Sequence, residues 1–233
     1  MAPSGTTTFN PSIGALMSYA YSLCGIRRTE LVQEHLADAA IASNLMLSAW
    51  GNSTPNLWKV SEVVQTLIEG VATYDVDPST ITTLDAFIRT FDQQGNPQDD
   101  RIIWPISRTE YASIPNKTWQ APPTVFWFDK LLSPTITLWQ VPDGNGPYEL
   151  HYYAVTQIQD SALANGQTLD LPEWWMDAYA WGLAARLAVS YAPDRAVALD
   201  AKAKEALDIA RSQNVEANAT LYFAPQISGY YSR

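Results

Sequence analysis

Hydrophobic residues follow helical spacing at both ends of the chain and strand spacing between them. Asn10-Pro11 opens a predicted helix over residues 11–24, and Gly25 is placed to end it by supplying a positive φ. A second helix is expected from Thr29 to about Trp50, because Leu36, Ala40, Ser43, Leu47 and Trp50 recur on one face. Gly51-Asn52-Ser53-Thr54-Pro55 should stop it. From residue 57 onward the pattern changes to short runs rich in Val, Ile, Thr and aromatics, cut by Pro, Gly, Asn and Asp. Strands are predicted at 57–68, 72–76, 83–91, 100–106, 123–129, 135–141 and 148–155, with a short helix from Thr109 to Ser113. Glu69-Gly70 and Asp143-Gly144-Asn145-Gly146 read as hairpin turns.

Residues 171–193, LPEWWMDAYAWGLAARLAVSYAP, form a helix that is apolar on almost every side, with Arg186 its only basic residue. Trp174, Ala178, Trp181, Ala185 and Ala188 share one stripe, with Trp175, Gly182 and Val189 beside it. Asp170 and Glu173 are placed to cap the start and Pro193 closes the end. Such a helix needs more than one wall, either inside its own core or between that core and a neighbouring subunit. A last helix follows, capped by Asp194, with Leu199, Ala203, Ala206, Leu207 and Ala210 on one face. Asp200, Lys204 and Asp208 line its other side at i, i+4 spacing.

These elements predict an α+β fold: a helical bundle built from N- and C-terminal helices, an inserted antiparallel β region and an extended C-terminal tail. The segments are a flexible arm (1–9), bundle helices (10–55), the β-rich insertion (56–167), bundle helices (168–213) and a docking tail (214–233). The tail has no helical period yet carries Tyr222, Phe223, Ile227, Tyr230 and Tyr231, so it is expected to dock on its own domain or on another protein.

Composition narrows the chemistry. The net charge of −10 and the scatter of the 14 basic residues argue against an electrostatic grip on nucleic acid. One cysteine, Cys24, and two histidines, His35 and His151, leave no disulfide framework and too few soft ligands for zinc or iron–sulfur. No signal peptide and no bilayer-length apolar run is evident, so a soluble, intracellularly made protein with no membrane contact is expected. No nucleophile elbow, dinucleotide fingerprint or phosphate loop is present, and no cofactor is expected. Asp75/Asp77 and Asp99/Asp100 are paired carboxylates near aromatic residues, a combination that glycosidases use. Their positions beside Pro78 and after Gly95-Asn96-Pro97 also suit solvated turns. Asp143-Gly144-Asn145-Gly146 lacks the further ligands of a calcium loop.

Seven segments, taken in order, carry a resemblance: SLCGI (22–26), LADAAIASNLMLSAWGN (36–52), LIEGVATYDV (67–76), SRTEYASIPNKT (107–118), PPTVFWFD (122–129), ITLWQVPD (136–143) and LDLPEWWMDAYAWGLAARLAVSYAP (169–193). Together they resemble the head-to-tail adaptor (tail accessory factor, packaged-DNA-stabilisation) family of short-tailed bacteriophages. Asn44, Leu47 and Trp50 sit as in that family's second helix. The resemblance implies a structural virion protein without catalytic residues, made in the host cytoplasm and placed in the neck between capsid and tail. It implies a dodecameric ring beneath the portal protein that closes the filled head. Its far side would be offered to a tail nozzle or other tail proteins, with double-stranded DNA passing through the lumen. The tail's Tyr222, Phe223, Ile227, Tyr230 and Tyr231 would then anchor on the portal, and Trp174, Trp175, Trp181 and Arg186 would pack subunits together. The tryptophans and paired carboxylates also suit a carbohydrate-binding or carbohydrate-cleaving protein. A connector or tail-tube component of a long-tailed phage is a third reading.

Overall fold

A computed structural model describes residues 5, 9–53, 56–92, 94–162 and 166–215. Of the N-terminal arm it covers Gly5 and Phe9; the proposed tail anchors Tyr222, Phe223, Ile227, Tyr230 and Tyr231 lie outside the described residues. The fold is α+β, with five α-helices and one curled seven-stranded sheet among the described residues.

Helix α1 spans Ile13–Cys24 and starts two residues later than Asn10-Pro11 suggests, because Ser12 is the cap and accepts a hydrogen bond from the Ala15 N–H. Gly25 ends it at φ 91°, donating to Ser22 while Ile26 reaches back to Tyr21. This double closure satisfies two of the helix's last carbonyls, those of Tyr21 and Ser22. A 3-10 turn over Arg28–Glu30 then intervenes, so helix α2 spans Gln33–Ser53 rather than beginning at Thr29. It continues through Gly51, which is buried against Ile81.

The seven strands fall where the alternation places them: β1 (Val60–Thr66), β2 (Thr73–Asp75), β3 (Thr80–Phe91), β4 (Pro97–Pro105), β5 (Val125–Asp129), β6 (Thr135–Trp139) and β7 (Tyr148–Thr156). Helix α3, Arg108–Ser113, opens with a reciprocal cap between Ser107 and Glu110. The sheet order is β1-β7-β3-β4-β5-β6-β2, antiparallel except for the parallel contact between β4 and β5 at Trp104–Val125. Two expected hairpins are absent. Glu69-Gly70 joins β1 to β2 and the Asp143–Gly146 turn joins β6 to β7, yet neither pair of strands is adjacent. The two loops instead cross the curled sheet side by side, with the Gly70 N–H donating to Pro142 and the Leu67 N–H to Tyr148. The Tyr74 hydroxyl ties the first loop to itself through Ile68 and Val71. Inside the curl, Leu67, Tyr74, Ile88, Ile103, Phe126 and Leu150 form one core.

After β7 the chain returns to helix. A 3-10 turn, Glu173–Trp175, leads into α4 (Met176–Tyr191), and α5 spans Ala196–Ser212. Neither expected acidic cap forms. Asp170 accepts instead from Lys59 Nζ at 2.6 Å and from the Gln159 N–H, and α5 starts at Arg195 without a side-chain cap. Lys204 pairs with Asp200 at 2.6 Å, the earlier of its two possible partners. Helix α4 packs against α1, α2 and α5, which supplies its walls from within the chain. The second core gathers there, around Met17, Tyr21, Met46, Trp50, Trp175 and Tyr179.

Candidate assembly surfaces

The four residues singled out on the apolar helix have different fates. Trp175 is 1% exposed and lies at the centre of the chain's own core, its ring 5.1 Å from Trp50 and 4.9 Å from Trp58. Trp174 is 53% exposed, Trp181 is half-buried and Arg186 is exposed. Adjacent tryptophans therefore serve opposite sides of the surface. The phase differs from the predicted stripe because a helix apolar all round offers periodicity nothing to select, and because the 3-10 entry turns Trp175 inward.

Tyr179 is fully buried and went unmarked in the sequence. Its hydroxyl lies 2.7 Å from Ser43 Oγ, which lies 2.7 Å from Ser161 Oγ, which lies 2.8 Å from Asn44 Oδ1. The Ser161 hydroxyl is the donor toward both Ser43 Oγ and Asn44 Oδ1, and Asn44 also accepts the Ser161 N–H at 2.7 Å. Burial pushes the Tyr179 phenol upward, which keeps it a donor. The chain of hydroxyls ties α4 to α2 and to the segment leaving β7. A tyrosine in an apolar helix facing Ser43 on the buried stripe of α2 was the available signal.

The outer side of α4 is not fully covered. Gly182, Ala185 and Val189 form the floor of a groove of about 310 Å³ between α2 and α5, with Met46, Trp50 and Leu207 on its sides. A Cβ on Gly182 would stand 2.7 Å from Met46 Sδ, so glycine is what lets α2 approach this closely. Arg186 stands on one rim without an ion pair among the described residues, and the Lys204–Asp200 pair stands on the other. A second concavity, of about 430 Å³, lies where α1 meets the start of α4, lined by Phe9, Leu16, Tyr19, Met176 and Ala180. Glu173, Asp177 and Arg28 edge it.

The sheet presents a third surface. Tyr152, Ala86 and Ile103 face inward across β7, β3 and β4, so the neighbouring row of Val64, His151, Phe87 and Ile102 faces outward. His151 stacks on Phe87 with ring centroids 4.7 Å apart, and its nitrogens lie 2.7 Å from Glu62 and 3.4 Å from Glu149. Arg89 holds Asp100 through two bonds of 2.8 and 2.7 Å, which keeps that carboxyl below the usual range. Exposed Val64, Ile102 and Trp104 border this cluster.

One member of each carboxylate pair has local work: Asp77 accepts from the Ser79 N–H at 2.7 Å and Asp100 is taken by Arg89. Asp143, in the loop before β7, accepts from the Asn145 N–H and from the Tyr148 hydroxyl. Burial raises the Asp143 carboxyl, but those hydrogen bonds outweigh it and hold the group low. The Tyr148 phenol is pushed up to about 12 by burial and by Asp143. Among the described residues, no group of three or more His, Cys, Asp or Glu is placed to hold a metal ion, and no helix is long and apolar enough to cross a membrane.

A family model for the SU10 adaptor protein matches residues 22–226. The chain belongs to this phage adaptor family. The match runs from the last turn of α1 through the whole sheet and both C-terminal helices, so it covers the sheet core and the α2–α5 groove but leaves out most of α1 and its side of the first concavity. It includes Trp174, Trp175, Trp181, Arg186, Tyr222 and Phe223, while Ile227, Tyr230 and Tyr231 fall beyond it. No curated protein matches the chain.

Proposed function

We propose that this adaptor is a structural, non-enzymatic component of a virion neck. It forms a dodecameric ring beneath the portal of a short-tailed phage, closes the DNA-filled head, and offers its far side to the tail machinery. The observation that carries this reading is the family match over residues 22–226. Two features support it. Helix α4 has unfilled concavities beyond its own core, as a subunit needs if it contacts neighbours. Residues 56–160 hold thirteen of the 24 acidic side chains and six of the 14 basic ones, so this stretch accounts for −7 of the net −10. A sheet half of that charge suits a duplex sliding past rather than one being gripped. The helices serve as the bundle that builds the ring, and residues 214–233 serve as the portal-docking tail.

The test is the mass of purified portal rings with and without the chain, by native mass spectrometry or light scattering. With a 25.8-kDa chain, a dodecamer adds roughly 310 kDa. A stoichiometric addition of that size supports the proposal. A cognate portal whose mass does not change overturns it and returns the carbohydrate reading to equal standing.

A further inference from the structure

The two helical concavities lie on opposed faces of one helix. Asp177 and Ala180 line the first, while Gly182, Ala185, Arg186 and Val189 line the second. Asp177 and Arg186 are nine residues apart, which at about 100° per residue places them half a turn from each other around α4. One patch therefore points to one side of the subunit and one to the other. They are unlike in shape as well. The groove between α2 and α5 is floored by small residues, whereas Phe9 and Tyr19 stand exposed on the α1 side, at 62% and 44%, and Trp174, 53% exposed, stands next to Glu173 in the turn that enters α4.

Their charges are complementary. The groove rim carries Arg186 together with the mutually paired Lys204 and Asp200, a net positive edge. The opposite corner carries Glu173 and Asp177 against Arg28, a net negative edge. Neither Arg186, Glu173 nor Asp177 has an ion-pair partner within the described chain. Continuous with the groove, α2 has no charged side chain from Ala39 to Ser53, and its exposed side includes Ile41 and Leu45. An uncharged helix face in an acidic chain is suited to staying covered.

We propose that the α2–α4–α5 groove receives the Trp174 corner of a second copy of this chain, with Asp177 of one subunit against Arg186 of the next. The indole enters over Gly182 and Ala185 as an aromatic anchor in an apolar pocket, and the rim charges fix the register. Because the two patches differ and face opposite ways, the contact is head-to-tail and repeats around a ring instead of stopping at a dimer. This deepens the adaptor reading and rests on its ring. It assigns Trp174 and Arg186 to opposite sides of the same interface.

Charge reversal in the full chain tests it. R186E and D177R each leave a like-charge contact and should raise the chain concentration needed to load portal rings by about tenfold or more. R186E/D177R in one chain restores the pair in swapped form and should return loading toward the wild-type concentration. Far-UV circular dichroism checks that each variant is folded. Single reversals that load like wild type, or a folded double variant no better than either single one, overturn the interface while leaving portal attachment intact.

Cross-linking reads the same contact without the portal. E173C/V189C places one thiol at the edge of the first concavity and one in the groove, sixteen residues apart and thus about 24 Å along the helix axis, too far for a disulfide within one chain. Oxidation should give a ladder of multimers. Dimers alone, or no cross-linked species, overturn the head-to-tail arrangement. A ladder from E173C/V189C together with a wild-type chain that does not bind portal rings overturns the adaptor reading and not this interface.

Discussion

The helical and sheet halves of this chain bury hydrophobic residues equally well and treat charge in opposite ways. Around α4 the contacts are between uncharged surfaces, and one chain of hydroxyls runs from Tyr179 to Asn44 through the buried interior. In the sheet, charges are numerous and used locally. Arg89 holds Asp100, His151 sits between Glu62 and Glu149, and Asp77, Asp92 and Asp143 each close a turn by accepting backbone N–H groups. The difference separates two kinds of surface. The helical half is shaped for contact that excludes water, and the sheet half presents a hydrated acidic face whose loops are set by carboxylates.

The largest expected effect is on the helical side. Trp175 packs against both Trp50 and Trp58, so Trp175→Ala removes the centre of that core and should cost about 3–5 kcal/mol in stability. Thermal unfolding followed by near-UV circular dichroism measures it. A loss below about 1 kcal/mol would mean the site collapses without a cavity, and the two halves would then differ less than their packing indicates.

Much of this division was legible in the sequence. The alternating runs located all seven strands, and Ser107 with Glu110 spelled out the cap of α3. What escaped was long-range. Glu69-Gly70 does mark a turn, but turn chemistry cannot say whether the strands on either side pair with each other, and here β1 pairs with β7 while β2 pairs with β6. Asp170 looked like a helix cap because aspartate before Pro172 suits one; Lys59, more than a hundred residues earlier in the chain, claims it instead. Trp174 and Trp175 are chemically identical neighbours, and only the 3-10 turn decides which is core and which is surface. The groove beside Gly182 depends on three helices meeting, so no local pattern announces it.

The second prediction concerns acid. Asp77, Asp92 and Glu110 are held below their ordinary values by hydrogen bonds from Ser79, Asn96 and Ser107 respectively, Asp100 by Arg89, and Asp143 by Tyr148 and Asn145 against the opposing effect of burial. All five lie between β2 and β7, whereas Glu205, held by Lys202, is the described carboxylate in the helical half with a lowered value. A group whose folded value is depressed contributes stability above its unfolded value, 3.8 for Asp and 4.5 for Glu. That contribution is lost as pH falls through the folded value. Lowering the pH from 7 toward about 3 should therefore release hydrogen-exchange protection in the sheet before the helices. Helical amides that open first would break the comparison.

The smallest expected effect lies at the seam. Lys59 precedes β1 and Asp170 precedes α4, so their 2.6 Å bond ties the sheet's first strand to the central helix. The same carboxylate accepts the Gln159 N–H just after β7, and Thr156 donates to the Lys59 carbonyl. Both side chains are largely screened from water, at 14% and 29% exposure, so this pair exceeds an ordinary surface bridge in value. Asp170→Asn keeps an acceptor for Gln159 but leaves the Lys59 charge unanswered, and should cost about 1–2 kcal/mol. Its signature is cooperativity as much as stability. If the pair couples the halves, the calorimetric transition of the variant broadens and its van't Hoff enthalpy falls below the calorimetric one. Replacing both partners, as Lys59→Met with Asp170→Leu, removes the unpaired charge and should recover most of the lost stability while cooperativity stays low. A single sharp transition in both variants would mean that the apolar contacts along the seam suffice to make the two halves unfold as one.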